Sequence, residues 1–184
     1  MTEPGINVRD GVYLSSVRPT DKPALLEHFG TRDISETTLN IPYPYTESDA
    51  DSWLHKRIAH SEGSGKEVTF AVRDAGGMLI GVVGADSHRV GASHRAEIGY
   101  WLARQYWGRG LMTDAVRAYI GYAFGELRLL RLTAQVVEFN PGSARVLEKN
   151  GFKLEGRLRS HVRKGGKLFD VRFYGLLKEE ALHS

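Results

Sequence analysis

The amino-acid sequence predicts an α/β chain, folded as a single domain over residues 1–184. Three observations carry this. The length of 184 residues suits one domain with a real hydrophobic core. Runs of strand-like and helix-like apolar spacing are interleaved, giving about seven strands and about four helices. No internal repeat and no linker divides them.

Residues 1–10 read as a loose lead-in. Val12 to Val17 alternates as a first strand, and Arg18-Pro19-Thr20 breaks it. Thr20 or Asp21 caps a helix with Pro23 in its first turn, running through Leu25, Leu26 and Phe29 to a stop near Gly30. Ile41-Pro42-Tyr43-Pro44-Tyr45 is neither regular helix nor central strand, because both prolines lack a donor. Thr46 or Ser48 starts a second helix through Trp53, Leu54 and Ile58. Ser61 to Lys66 reads as a flexible turn. Glu67–Arg73 and Met78–Ser87 are strands joined by a hairpin turn at Ala75-Gly76-Gly77, with Gly81 and Gly84 marking weak points or close approach. Arg89 to His94 is a loop.

The central stretch runs from Ala96 to Asp114. Ile98 to Leu102 is rich in branched and aromatic residues, as a buried strand should be. Gly108 and Gly110 bracket Arg109, and from Ala115 the apolar residues fall at helical spacing. A glycine turn opening a helix leaves several N–H groups without intrahelical partners at the positive end of the helix dipole, which suits an anion. The P-loop is excluded because no lysine follows Gly110. The dinucleotide fingerprint is excluded because position 113 is Thr. Beyond this helix, Leu129–Val137 is a strand. Asn140 caps a short helix with Pro141 at its first position and Gly151 at its stop. Phe152–Arg163 and Lys167–Leu177 are strands around a tight Arg163–Lys167 hairpin.

The pattern Gln105-x-x-Gly108-x-Gly110, behind a strand reading Glu97-Ile-Gly-Tyr-Trp-Leu102, resembles the acetyl-CoA motif of the GNAT N-acetyltransferase superfamily. The whole chain resembles its RimJ/RimL-type branch, which acetylates protein N-termini. That resemblance implies the GNAT fold, a mixed and mostly antiparallel sheet flanked by helices. It implies that Gln105, Gly108, Arg109, Gly110, Leu111 and Met112 hold the coenzyme A pyrophosphate. It further implies that backbone groups of Tyr100, Trp101 and Leu102, with Asn140, bond the pantetheine arm. Arg145, with Arg109 and Lys149, is a candidate for the phosphates; a solvated helix face is the alternative for Arg145 and Lys149.

Acetyl transfer to an amine needs a held thioester, a neutral amine and a tolerated thiolate. Deprotonating a protein α-amine at pH 7 costs roughly 1 kcal/mol, against about 4–5 kcal/mol for lysine. An α-amine therefore needs little from a base, and Glu97 at the start of the cofactor strand is the candidate; a solvated strand-edge role is its alternative. Ser143 matches a serine proposed in the RimL branch to protonate the departing thiolate. Tyr43 and Tyr45 are candidate acceptor walls, because tyrosine offers an apolar face and a polar tip. Their alternative is a rigid connector.

Composition excludes several classes. There is no cysteine, so disulfides, thiolate metal sites and cysteine nucleophiles are out. A formal charge of +3 is too mild to argue for nucleic acid. The seven histidines lack metal spacing, and His55 and His60 read as solvent-facing. No apolar run reaches membrane length and no leader pattern opens the chain, so the expectation is a cytoplasmic protein. The expected partners are acetyl-CoA and an amine acceptor, either a protein N-terminus or a small amine such as a polyamine, amino acid or amino sugar. Neither a metal nor a membrane is expected, and a homodimer is a family-level expectation. A non-catalytic acyl-CoA-binding module is the rival class. The basic run Arg157, Arg159, His161, Arg163, Lys164 and Lys167 reads as exposed strand and turn charge, or as a guide for an acidic partner or the cofactor 3′-phosphate, or as a contact with RNA.

Overall fold

The computed structural model describes residues 5–85 and 93–181. Eight strands form one sheet: β1 (Ile6–Arg9), β2 (Val12–Ser16), β3 (Thr69–Asp74), β4 (Leu79–Ala85), β5 (Arg95–Leu102), β6 (Arg131–Val137), β7 (Lys153–Lys164) and β8 (Lys167–Leu177), in the order β1-β2-β3-β4-β5-β6-β8-β7. Among the described pairings only β5–β6 is parallel. The expected mixed, mostly antiparallel GNAT sheet is therefore what forms. Six helices accompany it: α1 (Lys22–Phe29), α2 (Arg32–Thr37), α3 (Glu47–Ser64), α4 (Leu111–Gly125), α5 (Pro141–Glu148) and α6 (Lys178–Ala181).

The helices divide between the two faces. On one face α4 buries Ala115, Val116, Tyr119, Ile120 and Ala123 in a cluster shared with Ala144 and Leu147 of α5 and with Ile98 and Leu102 of β5. On the other, Leu25 and Phe29 of α1, Ile34 of α2 and Leu54 of α3 pack with Ala71, Leu79 and Val82. The helical apolar spacing from Ala115 onward is what lets α4 cover its face in one continuous stripe.

The fold departs from the sequence reading in four places. Residues 1–10 are not all lead-in, because Ile6–Arg9 forms β1, paired through Ile6↔Leu14 and turned at Gly11 with φ +73°. Four residues give too short a run for periodicity to register; pairing to β2 and packing on the α4 cluster make the strand. Helices α2 and α6 were also missed, being six and four residues long. These add up to eight strands and six helices, against the seven and four expected. The turn expected at Ser61–Lys66 is helical to Ser64 and ends at Gly65 in the left-handed region, a C-terminal stop. His60 is half-buried with its Nε2 shielded, unlike the exposed His55. Residues 86 and 87 of the expected strand, and most of the Arg89–His94 loop, lie outside the described residues.

Elsewhere the local signals act as written. Thr46 caps α3 and exchanges bonds with Asp49, whose carboxylate receives the Thr46 N–H at 2.8 Å. Asn140 caps α5 by accepting the Ser143 N–H at 3.0 Å. A Cβ on Gly81 would lie 2.6 Å from the Trp101 carbonyl, and one on Gly84 would lie 2.8 Å from the Val68 carbonyl. Both glycines are thus close-approach positions within the β3–β4–β5 layer.

One polar group ties the α1 side to the sheet. Arg73 is 2% exposed. Its guanidinium donates to Asp21 Oδ1 at 2.7 Å and Oδ2 at 3.0 Å, to Ser15 Oγ at 2.6 Å and to the Ser16 carbonyl at 3.0 Å. This satisfies a buried charge from β2, β3 and the start of α1 together. Asp21→Ala strands that charge, and a loss of about 3–5 kcal/mol is expected in urea unfolding. An unchanged midpoint would show that Arg73 finds other partners or water.

Candidate active site

The site is organised by the way β5 leaves β6. Their parallel register runs Arg95↔Arg131, Ala96↔Leu132 and Glu97↔Thr133, and ends there. Beyond it β5 pairs only with β4 through Leu102, while β6 continues along β8 through Val137. The Ala103 N–H donates to Ile80 at 2.8 Å. By antiparallel alternation, Trp101 and Gly99 then turn their peptide groups toward β4, while Leu102 and Tyr100 turn theirs away. The Leu102 carbonyl, so turned, accepts the Trp107 indole N–H at 2.6 Å. The Tyr100 and Leu102 amides thus face the opening between the strands.

A continuous cleft of about 1510 Å³ occupies that opening. At one end lie Gly108, Gly110, Leu111, Met112 and Thr113. The first intrahelical bond of α4 runs from Asp114 N–H to the Gly110 carbonyl at 3.1 Å, and no side chain caps the helix. The amides of Gly110, Leu111, Met112 and Thr113 are therefore left without intrahelical partners. Gly108 and Gly110 both have φ +76°, and a Cβ at either would meet no protein atom within 4 Å. The backbone conformation requires glycine there, and the space beside it stays open. Together these features fit a diphosphate: bare donors, an open approach and the positive end of a fifteen-residue helix.

Residues far apart in sequence hold this turn. The Arg9 guanidinium donates to the Arg109 carbonyl at 3.1 Å and lies 3.4 Å from Asp114 in the first turn of α4. The Asn150 side chain donates to the Thr113 carbonyl at 3.0 Å and the Val146 carbonyl at 2.9 Å, locking α5 to α4. The Arg109 guanidinium sits over the Tyr106 ring, 5.7 Å from its centroid. Neither Arg109 nor Gln105 lines the cleft, although Arg145 and Lys149 do.

The two faces of β5 carry different chemistry. Glu97 and Trp101 point to the α1–α3 face, while Tyr100 points to the α4–α5 face. Glu97 is half-buried in the cleft and accepts a hydrogen bond from Gln135 Nε2 at 3.1 Å. The Trp101 ring packs on Phe29 with centroids 4.6 Å apart. Tyr100 places its hydroxyl 2.9 Å from Ser143 Oγ and 3.1 Å from the Ser143 carbonyl, and burial pushes its pKa up. Asn140 spans the cleft's edge, donating from Nδ2 to the Thr37 carbonyl at 3.0 Å while its Oδ1 caps α5. Tyr45 lines the cleft and burial pushes its hydroxyl up to about 12. Tyr43 does not line it; it is 45% exposed with the Arg32 guanidinium 5.0 Å from its ring centroid.

Several of these contributions are absent from the sequence reading. Arg9 and Gln135 carry no local signal, because each acts on a residue distant in sequence, Arg9 on the turn before α4 and Gln135 on the neighbouring strand. The Tyr100 hydroxyl could have been suspected, since strand alternation puts residue 100 opposite residue 97. Among the described residues no group of side chains could hold a metal ion, and no helix is long and apolar enough to cross a membrane.

Comparison with known proteins agrees with this geometry. A family model described as an acetyltransferase (GNAT) domain matches residues 12–153. The chain is 43% identical over 102 residues to the probable N-acetyltransferase YjcK of Bacillus subtilis (strain 168), covering 55% of this chain and 56% of that one. It is 31% identical over 144 residues to the ribosomal-protein-serine acetyltransferase of Escherichia coli (strain K12), covering 76% of each. The chain spans about half the length of the first curated relatives it matches. A solved structure described as RimL, a ribosomal alpha-N-protein acetyltransferase in complex with coenzyme A, superposes with a TM-score of 0.84 at 20% identity, over 95% of this chain and 98% of that one. That last likeness shows the shared fold.

The Gly110 turn supplies a test. Gly110→Val places a side chain in the open space at a positive φ, with strain of about 1–2 kcal/mol. Coenzyme A is then expected to lose its thermal protection of the protein while the ligand-free variant still melts cooperatively. Undiminished protection would remove the turn from the cofactor site.

Proposed function

The chain belongs to the GNAT acetyltransferase family, and from that premise we propose that it moves an acetyl group from acetyl-CoA directly to a primary amine, the N-terminal α-amine of a protein. The observation that carries this reading is the continuous cleft through the β5–β6 opening. It joins the bare amides of α4 at one end to the Glu97 carboxylate and the aromatic residues beyond it.

In this reading the amides from Gly108 to Thr113 bind the diphosphate, and Arg145 and Lys149 bind outlying phosphate. The Tyr100 and Leu102 amides bind the arm as an added edge partner of β5. Bound acetyl-CoA supplies an activated acetyl thioester. Glu97, oriented by Gln135, receives the amine proton directly or through water. Ser143 stands on the other face of β5, where a hydroxyl donor serves the departing sulfur. Because the base and the hydroxyl lie on opposite faces, the amine and the thiol need not share one approach.

The charges along the cleft support an α-amine over a polyamine. Its carboxylates are Asp49 and Glu97, and Asp49 is engaged in capping α3. They face Lys56, Arg57, Arg104, Arg145 and Lys149 in the same cleft. A polycation would meet one available carboxylate and several cations, whereas a single amine on an apolar or acidic neighbour meets Glu97 beside Trp53 and Trp101. Trp53, Trp101 and Tyr45 offer aromatic walls for the residue carrying the amine.

The test is coenzyme A thiol release with a panel of peptides, amino acids, amino sugars and polyamines. Peptides with free N-termini are expected to turn over and N-blocked peptides not. Tight acetyl-CoA binding with no thiol release from any amine would favour a binding module instead. Glu97→Gln is expected to lower kcat by about tenfold near neutral pH, with little change in coenzyme A affinity. The deficit should shrink as pH rises, because more of the amine is then already neutral. A pH profile parallel to wild type would place the base elsewhere.

A further inference from the structure

The geometry points to Tyr100 as a positioning residue: its phenol O–H donates to Ser143 Oγ, which orients and polarises the Ser143 hydroxyl so that its one proton is aimed at the sulfur that leaves. This rests on the acetyl-transfer reading above and extends it to a residue whose hydroxyl that reading does not use.

The argument is a count of donors. Each hydroxyl has one proton and two lone pairs. Tyr100 Oη lies 2.9 Å from Ser143 Oγ and 3.1 Å from the Ser143 carbonyl, so its single proton has two acceptors in reach. If Tyr100 donates to the carbonyl, the 2.9 Å Oγ–Oη contact is a hydrogen bond only when Ser143 donates back, and both protons are then consumed within the pair. If Tyr100 donates to Oγ, the Ser143 proton is free to point into the cleft that both residues line. Negative charge developing in the cleft favours the second arrangement, because only that one offers it a donor. Burial keeps the phenol protonated, so Tyr100 remains a donor throughout.

Two features make the pair more than a packing contact. Ser143 is held from the other side, its N–H donating to Asn140 Oδ1 at 3.0 Å and Asn140 in turn donating to Thr37. The serine therefore sits between two fixed neighbours, which leaves hydroxyl rotation as its free coordinate. Tyr100 is also on the β5 face opposite Glu97, so the hydroxyl pair is separated by the strand from the group that takes the amine proton.

The step balances without a further reactant. The amine nitrogen forms the C–N bond to the acetyl carbon, the C–S bond breaks, and the electron pair stays on sulfur. The amine proton passes to Glu97 or its water and out to solvent, and the thiolate later takes one proton from solvent. Ser143 donates a hydrogen bond and keeps its proton, as does Tyr100.

A donor aimed at sulfur lowers the pKa of bound coenzyme A thiol below the ordinary value of about 8.5. Coenzyme A affinity should therefore tighten as pH rises toward that value, as the bound thiol ionises before the free one. The experiment measures coenzyme A affinity from pH 7 to 9, and kcat and KM with acetyl-CoA and a competent peptide, for wild type, Tyr100→Phe, Ser143→Ala and the double variant. Wild type is expected to tighten by about tenfold over that range, Ser143→Ala and the double variant to stay flat, and Tyr100→Phe to tighten clearly less than wild type, because its Ser143 hydroxyl is no longer oriented and polarised by a donor. Tyr100→Phe should lower kcat by about tenfold, the rate equivalent of one hydrogen bond, with KM little changed. The double variant should be no slower than Ser143→Ala, because Tyr100 acts through Ser143. Tyr100→Phe losses that multiply with those of Ser143→Ala, or tightening in Tyr100→Phe as large as in wild type, overturn the inference. Wild-type turnover without tightening overturns it alone. A wild type that tightens and turns over nothing overturns the acetyl-transfer reading and this inference with it.

Discussion

The parting of β5 from β6 after Glu97 and Thr133 is the constraint on which the rest of this structure depends. Neighbouring strands in a sheet normally satisfy one another's peptide groups. Here one strand keeps its β4 partner and the next keeps its β8 partner, and the two inner edges face open space. Backbone donors left bare inside a protein are costly unless something fills the gap. A partner that is extended, polar along its length and anionic at one end would answer the edge of β5 and the mouth of α4 together. The sheet's one parallel pairing therefore positions the cleft, and the antiparallel pairings on either side keep it from closing.

Both ends of that opening are braced by residues from distant parts of the chain. Arg9 on the first strand holds the carbonyl of Arg109 and reaches Asp114. Asn150, after α5, holds the carbonyl of Thr113. At the other lip, Asn140 bonds the Thr37 carbonyl, and Lys164 from the β7–β8 hairpin lies against the Ser35 and Thr38 carbonyls. Two members of the basic run are likewise engaged in structure: Arg157 bonds Asp170 at 2.6 Å and approaches Glu138, while burial lowers the Lys164 pKa. These contacts fix carbonyls in and beside α2 and at the start of α4, so the cleft's rims are set by side-chain bonds to backbone, charge-assisted from Arg9 and Lys164 and neutral from Asn140 and Asn150.

Strand alternation then assigns the chemistry. A carboxylate at position 97 and a phenol at position 100 differ by three residues, an odd number, and so emerge on opposite faces of β5. The same alternation directs the Trp101 peptide to β4 and leaves its ring to build the aromatic wall with Phe29. One strand thus presents a carboxylate face, a phenol face and an open edge at once, with no element added for any of them.

The sequence by itself determined the elements whose signals are local. The glycine turn at 108–110, the Asn140-Pro141 start of α5, the Thr46 cap of α3 and the stripe along α4 are each written within a few residues, because caps, turns and helical spacing depend on near neighbours. The family resemblance rests on those same stretches. Only the tertiary structure decided which side chains meet. It made β1 a strand and α2 a helix, set Tyr45 in the cleft and Tyr43 outside it, and gave Glu97 to Gln135 and Tyr100 to Ser143. Those outcomes follow from strand register and from which face each residue presents. A sequence does not print register, because a pairing energy belongs to two strands and is realised only when they lie side by side.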